Sequence, residues 1–144
     1  MTQVRAKAVV IIEHSGKFLF TVCIEKTTGT VFYIPAGGGI EFGEHSSVAA
    51  KREMLEETGQ PVTNLNLLHI SENIFAFNGI EEHEIVFIYK ADFVNEEAYH
   101  SVLYGSNDKG EAIAFIWATI NAIKEQTIAV YPFGLVQILG QLIA

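Results

Sequence analysis

The chain opens with two apolar runs, Ala6 to Ile12 and Phe18 to Ile24, joined by His14-Ser15-Gly16-Lys17. β-Branched and aromatic runs either side of a Gly-containing turn predict two strands forming a hairpin. Thr27 to Thr30 is a polar loop, Val31 to Ile34 a short strand, and Pro35-Ala36-Gly37-Gly38-Gly39 stops it. The period then changes. Ser46 or Ser47 suits an N-cap, Gly59 suits the left-handed residue past a helix end and Pro61 blocks continuation, so a helix of about 12 residues lies between them. Val62 to Ile70 and Ile74 to Phe77 read as extended, and Asn78-Gly79 as a hairpin turn. Glu84 to Phe93 reads as a strand whose apolar stretch Ile85 to Tyr89 predicts a central position. Ile113 to Trp117 is a further strand, and Thr119 to Lys124 and Pro132 to Leu142 have helical patterns. Strands with a few interspersed helices predict an α/β fold in which helices pack on a mixed sheet.

A chain of 144 residues has the size of one domain, 1–144, able to bury roughly 70% of its unfolded surface. With 49% hydrophobic residues and no repeat or biased tract, a folded globule is expected. Nine Lys and Arg against 17 Asp and Glu leave a formal charge of −8. A polymeric nucleic acid or an anionic membrane would be repelled. A small phosphate-bearing ligand fits only if a cation such as a divalent metal comes with it. Cys23 is the one cysteine, so no internal disulfide forms, and no zinc-type spacing is present, which agrees with a cytoplasmic location. The N-terminal apolar run is too short for a signal peptide. Residues Gln126 to Ala144 carry no charged side chain, but Pro132, Gly134, Gln137, Gly140 and Gln141 interrupt them. Leu135, Ile138, Leu139 and Leu142 recur at helical spacing, predicting a docked helix instead of a membrane span, with apolar surface to spare for a homodimer.

The chemistry concentrates in Arg52-Glu53-Met54-Leu55-Glu56-Glu57-Thr58-Gly59. At about 100° per residue, Glu57 and Glu56 fall to either side of Glu53 on one face, while Val48, Met54 and Leu55 fall on the other and are expected to pack on the sheet. Like charges at these spacings repel, and anions near a helix C-terminus oppose its dipole. A bound cation would relieve both, and oxygen donors alone select hard ions: Mg²⁺ or Mn²⁺, with Ca²⁺ as competitor. An ordinary solvated acidic face is the plain alternative. Upstream, Gly37-Gly38-Gly39 lets bare backbone groups approach a ligand, in neither the phosphate-loop nor the dinucleotide pattern.

Gly38, five residues, Glu44, seven residues, then Arg52-Glu53-Met54-x-Glu56-Glu57-x-Gly59 closely resembles the signature of the Nudix hydrolases. Gln60 departs from it, standing where that family usually has an aliphatic residue. The resemblance extends to Tyr33 to Gly39, to Ser71-Glu72-Asn73 with His83-Glu84-Ile85, and to Tyr131-Pro132-x-Gly-Leu135. It implies a Nudix fold, an α/β/α sandwich around a central mixed sheet with a catalytic loop-helix-loop. The activity implied is metal-dependent hydrolysis of a diphosphate linkage in a nucleoside diphosphate derivative. By position, Glu53, Glu56 and Glu57 would be metal ligands, joined by the Gly38 carbonyl. One of Glu53 and Glu56 would polarise water, and Arg52 with Glu44 would orient that face. A catalytically silent nucleotide-binding regulatory domain is the alternative, as is a structural calcium-binding face.

Outside the signature, the resemblance implies a further carboxylate or His that joins the metals or acts as general base, for which Glu84 and His83 are candidates, as they are for substrate contact, with an exposed hairpin end as the plain reading. Tyr33 and Gly37, beside the signature, are taken as substrate-binding. Phe32, Tyr33, Phe75 and Phe77 could stack a nucleobase, although strand aromatics more often fill cores. Cys23 is expected to be inert, and His14, His45, His69 and His100 lack partners at ligand spacing.

Overall fold

The computed structural model describes residues 2–107 and 109–142. The α/β/α layering is present, but the expected single sheet is two. The first has the order β5 (Ala36–Gly39), β1 (Val4–Ile11), β7 (Ile80–Phe93), β6 (Val62–Phe77), with β1 and β7 parallel and the outer pairs antiparallel. The second runs β2 (Glu13–His14), β3 (Lys17–Ile24), β4 (Val31–Ile34), β9 (Ala129–Val130), with β8 (Phe115–Ala118) also on β3.

The two apolar runs at the start therefore do not form one long hairpin. Only Glu13–His14 folds back on Lys17–Phe18, while β1 enters the first sheet and β3 the second. β1 is apolar throughout its C-terminal half because both faces are covered. Ala8 and Val10 pack toward helix α1 (Ser46–Thr58), and Val9 and Ile11 toward α2 (Ile120–Glu125) and α3 (Leu135–Leu142). A strand buried on both faces has no polar side to alternate.

Further boundaries move for physical reasons. Ala36 to Gly39, expected only to end a strand, pairs antiparallel with β1, so Pro35 is where the chain leaves one sheet for the other. Val62 to Phe77 is one strand with irregular register near Asn64 and Leu68, and it turns through Asn78 and Gly79, both at positive φ, into β7. The C-terminal helix begins at Leu135, not Pro132; Ile143 and Ala144 of the uncharged segment lie outside the described residues. Among the described residues no helix is long and apolar enough to cross a membrane.

Helix α1 closes at Gly59, whose φ is 73° and whose N–H donates to the Leu55 carbonyl at 2.9 Å, the left-handed termination expected. Its N-cap is His45, without a side-chain cap; Ser46, expected as a cap, is the first helical residue, and its hydroxyl meets the Tyr89 hydroxyl at 2.7 Å. The buried side is also rotated from expectation. Ala49, Ala50, Glu53, Met54 and Thr58 face inward, whereas Val48 is 52% and Leu55 53% exposed. The sheet meets the small residues and a carboxylate, and two aliphatic side chains are left in solvent. Met54→Ala should thus lower the unfolding free energy in a urea titration by about 2–5 kcal/mol. Leu55→Ala, one position along, should stay within about 0.5 kcal/mol of the parent.

Candidate active site

The site begins where β5 runs against β1. Gly37 stands opposite Val9 at φ +155°, and a Cβ there would lie 2.2 Å from the Ala8 carbonyl oxygen. Only glycine allows this approach. Its amide N–H donates to Glu57 Oε1 at 2.9 Å, fixing the end of the acidic helix to the strand. At Gly38 a Cβ would fall 2.5 Å from the Glu53 carboxyl group. The missing side chain is the space in which that carboxylate lies, 6% exposed.

Arg52 joins the parts. Its Nε and Nη2 donate to the two oxygens of Glu44, each at 2.8 Å, and Nη2 also donates to the Gly39 carbonyl at 3.0 Å. Nη1 donates to Glu53 Oε1 at 3.0 Å and to Glu56 Oε1 at 3.4 Å. Hydrogen bonding from Arg52, then from the Glu41 amide, holds the Glu44 carboxyl down to about 2. The Arg52 guanidinium is in turn held more firmly protonated, chiefly by Glu44. Three carboxylates thus meet one guanidinium, so the face remains anionic.

Its donors are carboxylate and peptide oxygens, with no imidazole or thiolate joining Arg52's partners, and this chemistry fits a hard divalent cation. Among the described residues no three His, Cys, Asp or Glu side chains already converge as a cage. Glu53 and Glu56 are instead turned to Arg52, and Glu57 to Gly37.

A cleft of about 430 Å³ opens between the two sheets. Phe32 and Phe77, 5.5 Å apart edge to face, line it, as does a cluster of Phe75, Tyr131 and Phe133 with centroids 5.0–6.2 Å apart. Glu84, 4% exposed, accepts a hydrogen bond from the Tyr131 hydroxyl, and Lys7 Nζ lies 3.6 Å from its other oxygen. Burial, then the hydrogen bond to Glu84, pushes the Tyr131 phenol well above its usual range. Asn73, fully enclosed, donates to Ser71 and accepts from the Phe133 amide at 2.9 Å, docking the 131–133 segment. Cys23 lines the cleft too. Burial raises its thiol pKa, against the smaller lowering effect of the Thr21 hydroxyl.

Arg52, Glu44, Glu53 and Glu56 are therefore brought together, with Glu57, Gly37 and Gly38 beside them, and Glu84 lies in the adjoining cleft. His83 and Tyr33 are not brought there. His83 alternates to the opposite face of β7 and meets Glu72 at 2.8 Å. Tyr33 is buried against Phe20 in the core, while its neighbour Phe32 lines the cleft. Arg5, Lys7, Tyr131 and Phe133 were not singled out from sequence as site residues. Two cations at alternate positions leading into an apolar strand were the available signal for the first two.

The NUDIX domain family model matches residues 1–135. The chain belongs to the Nudix family. Similar folds include a NUDIX hydrolase from Nitrosomonas europaea (TM-score 0.65, 23% identity, 96% of this chain and 87% of that one). A NUDIX family hydrolase from Clostridium perfringens matches with TM-score 0.65 and 22% identity over 96% of this chain and 97% of that one. The MutT NUDIX hydrolase of Burkholderia pseudomallei matches with TM-score 0.63 and 24% identity over 83% and 85%. The protein is a Nudix-type hydrolase, a class that acts on nucleoside diphosphate derivatives.

The depressed Glu44 carboxyl makes a directional prediction for this Nudix protein. Its ion pair with Arg52 should contribute fully above the unfolded carboxyl value of 4.5 and be lost as pH falls through about 2. A carboxyl-resolved NMR titration should find Glu44 near that lower value in the parent. In Arg52→Gln the midpoint should return to the ordinary carboxylate range.

Proposed function

We propose that this Nudix protein hydrolyses a diphosphate linkage in a nucleoside diphosphate derivative with Mg²⁺ or Mn²⁺ bound at the acidic face of α1. The observation that carries this is the Arg52 cluster, which holds Glu44, Glu53 and Glu56 against the glycine strand while Glu57 is tied to Gly37. Glu53, Glu56 and Glu57, with the Gly38 carbonyl, would hold the ion. Bound there, it supplies positive charge to offset phosphate oxygens and to acidify a water. Arg52 and Glu44 orient the carboxylates, and Glu53 or Glu56 accepts the proton as the water oxygen bonds to phosphorus. The bridging P–O bond breaks and the second phosphate leaves with its electron pair. The chain supplies placement and charge, which is what phosphoryl transfer chiefly requires.

The test is turnover of a panel of nucleoside diphosphate derivatives with Mg²⁺ and Mn²⁺, with products identified. Glu56→Gln and Glu57→Gln should each lower kcat by about a hundredfold or more. Both should also weaken Mn²⁺ binding measured by electron paramagnetic resonance. Unchanged turnover in both variants would sink the assignment. Gly38→Ala should lose activity as well, because its methyl group displaces the Glu53 carboxylate.

A further inference from the structure

Arg5 and Lys7 are alternate residues of β1, so both project from one face of the strand into the cleft. Their situations differ. Lys7 is partnered by Glu84. Arg5 is exposed and its side chain makes no hydrogen bond or ion pair with any described residue, although Glu25, Glu82 and Glu84 line the same cleft. A guanidinium nitrogen of Arg5 lies instead 3.9 Å from the point where a Cβ of Gly39 would stand. Arg5 thus reaches across the side-chain space that Gly39 leaves empty, and the carbonyl of that same Gly39 accepts from Arg52. The free cation of the cleft stands at the rim it shares with the carboxylate face.

We propose that Arg5 is a specificity-determining residue that holds the phosphate attached to the nucleoside, with the nucleoside end of the substrate inside the cleft. This rests on the diphosphate-hydrolase reading above. The lining of the cleft offers a partner for each part of such a ligand. At its rim is an unneutralised guanidinium, whose planar fork suits a phosphate group. Farther in are the aromatic walls of Phe32, Phe77, Phe75 and Tyr131, which suit a flat ring. On the paired strand directly across from Arg5, Glu84, an acceptor with valences left over after Tyr131 and Lys7, suits a ring edge bearing N–H groups. Glu25, Glu82 and Glu84 line the cleft beside Arg5 and Lys7, so a phosphate held there depends on direct contact with the guanidinium. The other phosphate of the diphosphate then lies on the far side of Gly39, over the acidic helix.

The experiment measures binding, not turnover, and is done in EDTA so that no metal contributes to phosphate affinity. Calorimetry compares each of the four common nucleosides with its own 5′-monophosphate, on the parent, Arg5→Gln and Arg5→Lys, with melting temperatures confirming that the variants fold. For the base the cleft accepts, the parent should bind the monophosphate roughly tenfold to a hundredfold more tightly than the nucleoside. Arg5→Gln should abolish that ratio and leave nucleoside affinity unchanged, and Arg5→Lys should keep part of it. A ratio that survives Arg5→Gln, a variant that weakens both ligands equally, or a parent without the preference overturns the inference. Loss of the diphosphatase reading would appear separately, as absence of metal-dependent turnover in a protein that still shows the Arg5-dependent ratio.

Discussion

The organisation of the site depends on one side chain answering several carboxylates. Arg52 binds both oxygens of Glu44, reaches Glu53 and Glu56, and takes the Gly39 carbonyl with what remains of its donors. A lysine could not do this, since it has a point charge where the guanidinium has a planar fork of five donors. Because Glu44 lies in the loop, Gly39 in β5 and the other partners on α1, this single fork ties the three segments of the signature into one body. Repulsion among the glutamates is thereby contained without being cancelled, and the residual negative charge is available to a hard cation.

The glycine run supplies the complementary constraint. It is not a loop that bends around a ligand but an edge strand, hydrogen-bonded to β1 and stripped of side chains where β1 and Glu53 come closest. The acidic helix therefore lies on a flat backbone surface with a fixed register, and Glu57 finds an amide there at hydrogen-bond distance. Geometry of this kind is set by folding, before any ligand arrives.

What could be read from the sequence follows from how local each feature is. The carboxylates and the glycines fall within one loop and one helix, so spacing alone reports their common face, and the Gly59 termination is equally local. The burial of Glu53 and the exposure of Val48 and Leu55 depend on which side the sheet meets α1, and helical periodicity does not contain that. Phe32 and Tyr33 are adjacent in sequence yet serve the cleft and the core respectively, a choice made by which face of β4 points between the sheets. The split into two sheets turns on Ile12, which no change in composition marks, and on Pro35, whose proline and following glycines mark the end of a strand but not the sheet the chain joins next. The cleft draws on β1, β3, β4, β6, β7 and the segment after β9, and its unpaired Arg5 is recognisable only once those strands are assembled.

That difference in locality orders events as the chain is made. The strand, loop and helix that carry Gly38 through Glu57 are contiguous and lie in the first half of the sequence, so they leave the ribosome long before Tyr131 and Phe133. The wall those two rings form is held to the sheet by Glu84 and Asn73, contacts 47 and 60 residues apart in sequence that close late. A nascent or C-terminally damaged chain would thus expose an acidic, cation-attracting helix with no walled cleft beside it. The aromatic wall of the cleft arrives with the last segment synthesised, and loss of that segment would remove the wall while the carboxylate cluster around Arg52 stays local to β5, the loop and α1.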